Sequence, residues 1–291
     1  MKILSPAKIN LFLLVTGRRP DGYHTLHSLM APVGLFDTLH VDFSANGLSV
    51  TCDHPDVPSG KANLAFRAAA LFFEQAGLEK QAAITIDKKI PAAAGLGGGS
   101  SNAGTILSCF NTHFGHPFSP DRLMTMGAGL GADVPFFIRS RPALAGGVGE
   151  ILESYERLPQ LPVLLIHPHI SLSTAGVYKS LKFTLTKPKK ISNILSFTKH
   201  TVFDVKQHLA NDLEAVSVAR YPEIRGIKKR LVDSGATGVL MSGSGPTVFG
   251  LFSDRRQAEA AHDQLTGKAD EDIFLTTLLT DGHSACMDMP P

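Results

Sequence analysis

Cysteine is scarce in this chain: Cys52, Cys109 and Cys286 are the three in 291 residues. The number is odd and no two share a metal-ligand spacing, which argues against a disulfide framework or a zinc knuckle and fits a reducing cytoplasm. Net charge is almost absent as well. With 28 Lys and Arg against 26 Asp and Glu the balance is +2, so no overall basicity draws the chain to nucleic acid. The basic runs at 187–190 and 228–230 read as solvated faces. No apolar run approaches membrane-spanning length, and the opening MKILSPAKINLFLLV is broken by Pro6, Lys8 and Asn10 before it could serve as a signal segment. Neither nucleic acid, nor a membrane, nor an obligatory protein partner is expected. There is no internal repeat, and the tail over 283–291 reads as frayed. The 12 histidines show no metal spacing, and HPH at 167–169 reads as structural.

What the chain does have is glycine in one place. Residues 90–102 read IPAAAGLGGGSSN. The run before it, 84–90, alternates as a strand does, and Ala103, Ile106, Leu107, Phe110 and Phe114 after it recur at helical spacing. Strand, glycine loop and helix start follow in order, an arrangement whose bare N–H groups and helix dipole attract an anion such as phosphate. Ser100 and Ser101 are caps that could also reach a phosphate or its metal. No lysine follows the last glycine, so this is not a Walker A loop, and Ser100 stands where a dinucleotide fingerprint needs its third glycine. A capped turn of purely structural use is the bland alternative.

At 43% hydrophobic, a chain of this length can bury a large core and divide into two domains. Strands are expected at 9–15, 38–43, 48–52 and 84–90. Helices are expected at 64–76, closed by Gly77, at 102–114, closed by Gly115, and after Ser119 as cap with Pro120 at the first position. After Pro159 and Pro162 the pattern restarts: a strand at 163–166, helices at 213–220 and 223–232, strands at 237–241 and 247–252 around SGSGP, a helix, and a strand at 273–278. This describes an α+β chain with a boundary near 153–162.

Two further segments flank the glycine loop: SPAKINL (5–11) leading into TGRRPDGYH (16–24), and GVLMSGSGPTVFG (238–250). In order and spacing the three resemble the motifs of the GHMP kinases, small-molecule kinases unrelated in fold to protein kinases. Within that superfamily, PAKINL followed by DGYH, LGADVPFF and ANDLE is similar to the branch that phosphorylates 4-diphosphocytidyl-2-C-methyl-D-erythritol, in non-mevalonate isoprenoid biosynthesis. The resemblance covers nearly the whole chain. It implies a two-domain GHMP kinase fold, with a ribosomal-protein-S5-like ATP-binding domain over 1–155 and a ferredoxin-like domain over 156–291. The activity it implies is transfer of the γ-phosphoryl group of ATP, with Mg2+, to the 2-hydroxyl of that small-molecule substrate.

By position, Asp133 matches the family's catalytic aspartate, which takes the proton of the attacking hydroxyl, and Lys8 its catalytic lysine, which stabilises negative charge at the transferring group. Pro91, Ala92, Ala93, Ala94, Gly95, Leu96, Gly97, Gly98, Gly99, Ser100 and Ser101 match the ATP phosphate loop, and Asn63 and Lys88 the adenine side. Lys88 shares a strand face with Ile84, Ile86 and Ile90, where a lysine is disfavoured without a partner such as a nucleotide. Tyr23 and His24 match residues that recognise cytosine, Tyr178 an aromatic that stacks on the base, and Asn10 and Thr174 positions near the methylerythritol and phosphates. Gly243, Ser244 and Gly245 form the third motif, whose glycines let the backbone approach the phosphate loop. Ser101 is the candidate metal ligand. Asn102 departs from the acidic residue that relatives often carry there, and Ala92 to Ala94 replace a glycine-rich opening. Taken singly, Asp133 could be a turn residue, Lys8 an exposed strand lysine and Tyr178 the apolar face of a short helix. Two alternatives remain at this point: a GHMP kinase for another small alcohol, such as a mevalonate or homoserine relative, and a non-catalytic nucleotide-binding regulator. The regulator should have lost Lys8 or Asp133, and both are present.

Overall fold

The computed structural model describes residues 1–181, 193–267 and 270–281. Its larger sheet has seven strands and its smaller sheet four. In the larger, β1 (Lys2–Arg18) and β2 (His24–Asp42) form a long antiparallel hairpin. β4 (Ala82–Asp87) continues antiparallel on β2, and β3 (Leu48–Cys52) pairs parallel with β4. β5 (Ala143–Gly146) adds to β2 further along, and β6 (Ile151–Ser154) to β5. On its other side β1 takes the short β8 (Ala210–Asn211) in parallel at Phe12 and Leu13. The smaller sheet runs β11 (Glu271–Thr277), β7 (Pro162–Pro168), β10 (Val248–Leu251), β9 (Gly238–Met241), antiparallel throughout.

Helices α1 (Leu64–Ala76), α2 (Gly98–His113), α3 (Pro120–Leu130) and α4 (Val134–Arg139) belong to the first half. Phe72, Phe73, Ile106 and Phe110 from them bury Ile3, Leu39, Ile84 and Ile86 of the larger sheet. In the second half lie α5 (Thr174–Ser180), α6 (Val205–His208), α7 (Glu214–Arg220), α8 (Glu223–Asp233) and α9 (Arg255–Leu265). Strand β7 divides its side chains between two cores, as a period of two requires. Leu164 and Ile166 pack with Ile227, Leu231, Ala258 and Ala261 of α8 and α9. Val163 and Leu165 share a core with Ala7, Ile9 and Leu11 of β1, so the two sheets face each other. Each Val, Leu or Ile among them, fully buried, contributes about 1.5–3 kcal/mol.

The same alternation sets the functional face of β1. Ala7, Ile9 and Leu11 occupy the inter-sheet core, which turns Lys8 and Asn10 the other way, and a register shift between Asn10 and Phe12 ends that pattern. β3 and α1 have the bounds read from sequence, with Asn63 accepting from the Ala65 amide and Gly77 left-handed at φ 67°. β1 and β2 are far longer than expected because most of their length is buried on both faces and shows no alternation to read. β4 stops at Asp87, before the expected 90, because the Lys89 and Ile90 amides bond to the Asp37 carboxylate instead of a neighbouring strand. α2 starts at Gly98, earlier than expected, since glycines carry no apolar period.

Three other expectations change. The run 228–230 is not simply solvated: Lys228 pairs with Glu214, and Arg230 makes a two-pronged contact with Glu271 at 2.6 and 2.5 Å. Cys109 is disulfide-bonded, against the expectation from the odd count, while Cys52 is free. The run 187–190 and the tail 283–291 lie outside the described residues. Among the described residues no helix is long and apolar enough to cross a membrane.

Candidate active site

A cleft of about 1330 Å³ opens over the cleft-facing side of β1, and its walls come from both halves of the chain. The wall formed by the glycine loop is built from backbone. Gly97 caps α2 in the left-handed region at φ 74°, no side chain caps the helix, and the first turn carries no acidic residue. The N–H groups that open α2 at Gly98, Gly99 and Ser100 are therefore free to meet an anion. Gly95 makes this loop close on the turn between β9 and β10: at φ 77°, a Cβ there would stand 2.3 Å from the Ser242 carbonyl. Ser242 Oγ donates to the Gly95 carbonyl at 3.0 Å, and the Lys8 amide donates to the Leu96 carbonyl at 2.9 Å.

At the centre stand Lys8 and Asp133, 3.7 Å apart. Lys8 is buried, and its ammonium donates to Asn10 Oδ1 at 2.6 Å; Asn10 Nδ2 donates to Ser28 Oγ at 2.9 Å, and Ser28 to the Phe12 carbonyl at 2.6 Å. This chain of bonds fixes the ammonium. Asp133 sits at the N-cap of α4 without capping it, and its side chain is 37% exposed, so the carboxylate is free toward the cleft. Pro135, in the first turn of α4, removes one donor that a cap would otherwise serve.

An aromatic pair completes the cleft. The rings of His24 and Tyr178 stack at 5.3 Å with 24° between planes. Burial, then the nearby Arg18 guanidinium, holds the His24 imidazole below its ordinary pKa, which keeps it neutral at pH 7. Burial, then the Asp133 carboxylate, pushes the Tyr178 phenol upward, so it stays protonated. Tyr23 beside them is 66% exposed on its turn.

Residues 63–141 match the GHMP kinases N terminal domain and residues 203–271 the GHMP kinases C terminal domain. The 4-diphosphocytidyl-2-C-methyl-D-erythritol kinase of Geobacter metallireducens is 47% identical over 271 residues, which is 93% of this chain and 95% of that one. The chain belongs to the 4-diphosphocytidyl-2-C-methyl-D-erythritol kinase family of GHMP kinases. A relative of the same name from Syntrophotalea carbinolica is 47% identical, covering 91% of this chain and 94% of its own. The crystal structure of a 4-(cytidine 5'-diphospho)-2C-methyl-D-erythritol kinase superposes with a TM-score of 0.79 at 37% identity, covering 96% of this chain and 99% of that one. Homoserine kinase from Cytophaga hutchinsonii, at 18% identity and a TM-score of 0.74 over 96% of this chain and 94% of its own, shares the fold. The chain is thus an α+β small-molecule kinase, of a family whose phosphate donor is ATP.

Within this GHMP kinase frame most of the residues named from sequence line one cleft: Lys8, Asn10, Tyr23, His24, Asn63, Lys88, Pro91, Ala92, Ala93, Ala94, Gly95, Gly97, Gly98, Gly99, Ser100, Asp133, Thr174, Tyr178, Gly243 and Ser244. Leu96, Ser101 and Gly245 do not line it. Leu96 is in the inter-sheet core. Ser101 is fully buried, its hydroxyl 2.6 Å from both Ser5 Oγ and the Pro6 carbonyl, so it packs α2 against β1 and lies behind the cleft wall. Asn63 spends both ends of its amide, on the Ala65 amide and the Pro58 carbonyl, and serves the cleft as a fixed wall. The partner that Lys88 needs is Asp37, fully buried at 2.6 Å, and no nucleotide is required to explain its burial. His167, pushed down to about 4 by burial, lies 3.2 Å from Thr247 and is structural as expected.

Sequence reasoning missed Asp37, Ser28, Ala132, Val148 and Gly149. Ser28, Ala132, Val148 and Gly149 line the cleft, and Asp37 stands behind Lys88. Val148 and Gly149 sit in GGVG, a second glycine cluster that could have been noticed. Asp37 and Ser28 lie within a long buried strand and carry no local signal.

Proposed function

We propose that this chain transfers the γ-phosphoryl group of ATP to the 2-hydroxyl of 4-diphosphocytidyl-2-C-methyl-D-erythritol, giving the 2-phosphate and ADP, a step of non-mevalonate isoprenoid biosynthesis. The observation that carries this is a single cleft holding an uncapped glycine-rich helix start, the Lys8 and Asp133 pair, and the stacked His24 and Tyr178. Residues 1–155 carry the glycine loop, Lys8, Asp133 and His24, and residues 156–291 add Thr174, Tyr178, Gly243 and Ser244. Phosphoryl transfer runs through a loose transition state, so catalysis is positioning plus charge balance. Asp133, unspent on capping, accepts the proton of the attacking hydroxyl; Lys8, held by Asn10, stabilises the negative charge of the group in flight. Neutral His24 offers one ring donor and one acceptor, which suits the edge of a cytosine, and the protonated phenol of Tyr178 offers a stacking face.

Magnesium fits the donors present. Ser100 and Asn102 bring oxygen to the cleft wall, and the buried Asn102 Oδ1 has no partner. Among the described residues no cluster of three His, Cys, Asp or Glu forms a metal cage, which agrees with an ion held mainly by nucleotide oxygens. Ser100 replaces Ser101 as the protein oxygen for it. When bound, the ion neutralises phosphate charge that the side chains cannot.

The test is phosphate transfer from ATP with magnesium, offered this substrate beside mevalonate, homoserine and galactose, with the product's position assigned by NMR. A 2-phosphate from the cytidine substrate alone is expected; turnover of another alcohol in its place would refute the substrate. Asp133→Asn should lose turnover by about 100-fold or more while still binding ATP. Normal turnover in that variant removes Asp133 as the base, and a Lys8→Ala variant that loses affinity but not rate demotes Lys8 to a binding residue.

A further inference from the structure

The segment ANDLE has no part in the cleft lining, yet it holds the turn that reaches Lys8. That turn, between β9 and β10, brings Gly243 so close to the catalytic pair that an added Cβ would stand 3.2 Å from the Gly95 carbonyl, 3.4 Å from Asn10 Oδ1 and 3.5 Å from Lys8 Nζ. Its two hydroxyl tethers are Ser242 to the Gly95 carbonyl and Ser244 to Thr174 at 2.8 Å. Its own amides close it further, Ser242 to the Thr247 carbonyl and Gly245 to the Ser242 carbonyl, each at 2.9 Å, and the Thr247 amide donates to the Ala94 carbonyl at 3.3 Å. A further set of bonds comes from β8 and α7. Asn211 Nδ2 donates to the carbonyls of both Met241 and Gly243, each at 2.8 Å, while its Oδ1 accepts from the Leu213 amide at 2.9 Å. Glu214 Oε2 accepts from the Met241 amide at 2.9 Å, and Ser217 Oγ donates to the Ser244 carbonyl at 3.2 Å. Asp212 Oδ2 accepts from the Val15 amide at 2.8 Å and so ties the same segment to β1, the strand that carries Lys8.

We propose that Asn211 is a positioning residue for phosphoryl transfer: by drawing two carbonyls of the glycine turn onto one amide group, it fixes the Gly243 backbone against Lys8 and Asn10. A side-chain amide has two donor hydrogens. Both are spent on carbonyls two residues apart, which fixes the Met241–Ser242 and Gly243–Ser244 peptide planes. The left-handed Gly243, at φ 56°, has no Cβ contacts of its own to hold it. Displacing a group beside the reacting atoms by about 1 Å can cost about 100-fold in rate, and losing both Asn211 bonds loosens the turn at Gly243 while its other tethers remain. The inference rests on the kinase reading above.

Asn211→Asp keeps the size and replaces the donors by an acceptor facing two carbonyls. With the cytidine substrate, kcat should fall about tenfold or more while the KM for ATP stays within about twofold. A folded variant with unchanged kcat, or one whose loss matches its unfolded fraction, overturns the proposal. If Asn211→Asp does not fold, Ser217→Ala is read in the same way: a lower kcat at constant ATP KM supports the clamp, and unchanged kcat overturns it. Hydrogen exchange of the amides over 241–247 needs no substrate and keeps this failure distinct from failure of the substrate assignment. Faster exchange in the variant is expected, and unaltered exchange overturns the clamp whatever the enzyme phosphorylates.

Discussion

Asp37 decides what Lys88 can be. It is fully buried on β2 and receives the Lys88 ammonium at 2.6 Å, the Lys89 amide at 2.9 Å and the Ile90 amide at 2.8 Å. A Cβ on Gly98 would stand 2.7 Å from the Lys88 ammonium, so this cation is lodged at the start of α2, where a helix dipole repels it unless a counter-charge is present. Removing one member of a buried ion pair strands the other, at a cost of about 3–5 kcal/mol, whereas replacing both with apolar groups is often nearly neutral. Asp37→Leu should therefore lower stability by at least that amount, since it also strands the Lys89 and Ile90 amides, and adding Lys88→Met should restore only the ion-pair part of the loss, both read by urea titration. Additive losses in the double variant would mean that the two residues stabilise the fold separately. Sequence alone showed that Lys88 needed a partner. It could not show which, because the partner lies 51 residues upstream in a strand with no local pattern.

At the scale of the element, the glycine loop is a strand end, two left-handed glycines and a helix start, and each glycine there answers to a different neighbour. Gly95→Ala would drive its Cβ into the Ser242 carbonyl in a conformation that costs an L-residue about 1–2 kcal/mol by itself. Gly99, by contrast, lies within α2 with nothing inside 4 Å, on the cleft side. Alanine there should raise stability by up to about 1 kcal/mol through helix propensity, while its methyl enters the space left for phosphate. So Gly95→Ala should lower the melting temperature, and Gly99→Ala should keep or raise it while raising the KM for ATP. Equal melting temperatures in the two variants would contradict this division of roles. Much of this element was legible, since strand, glycines and helix were read in order. Its exact start was not, nor was the burial of Ser101: IPAAAGLGGGSSN gives no sign of which hydroxyl faces the cleft and which faces β1.

For the whole molecule, prolines 159 and 162 mark where the chain leaves one sheet for the other, between Ser154 of β6 and Pro162 of β7. What they do not reveal is that a single core crosses that point. Ile9 and Leu11 of β1 pack in the same cluster as Val163, Leu165, Phe249, Leu251 and Leu278, and Val33 bridges to Leu278. The alternation of VLLI over 163–166 cannot say which residues face the helices and which face the other sheet, because all four are apolar and all four are buried. A shared core makes the halves depend on one another, since unfolding either exposes apolar area of both. Leu165 is fully buried at the centre of it. Leu165→Ala should cost about 2–5 kcal/mol and lower the urea midpoint equally for amides of β4 and of β10 when unfolding is followed by hydrogen exchange. If β10 opened at lower urea while β4 kept its midpoint, the two halves would be separate folding units, and the cleft between them would depend on docking and not on a common core.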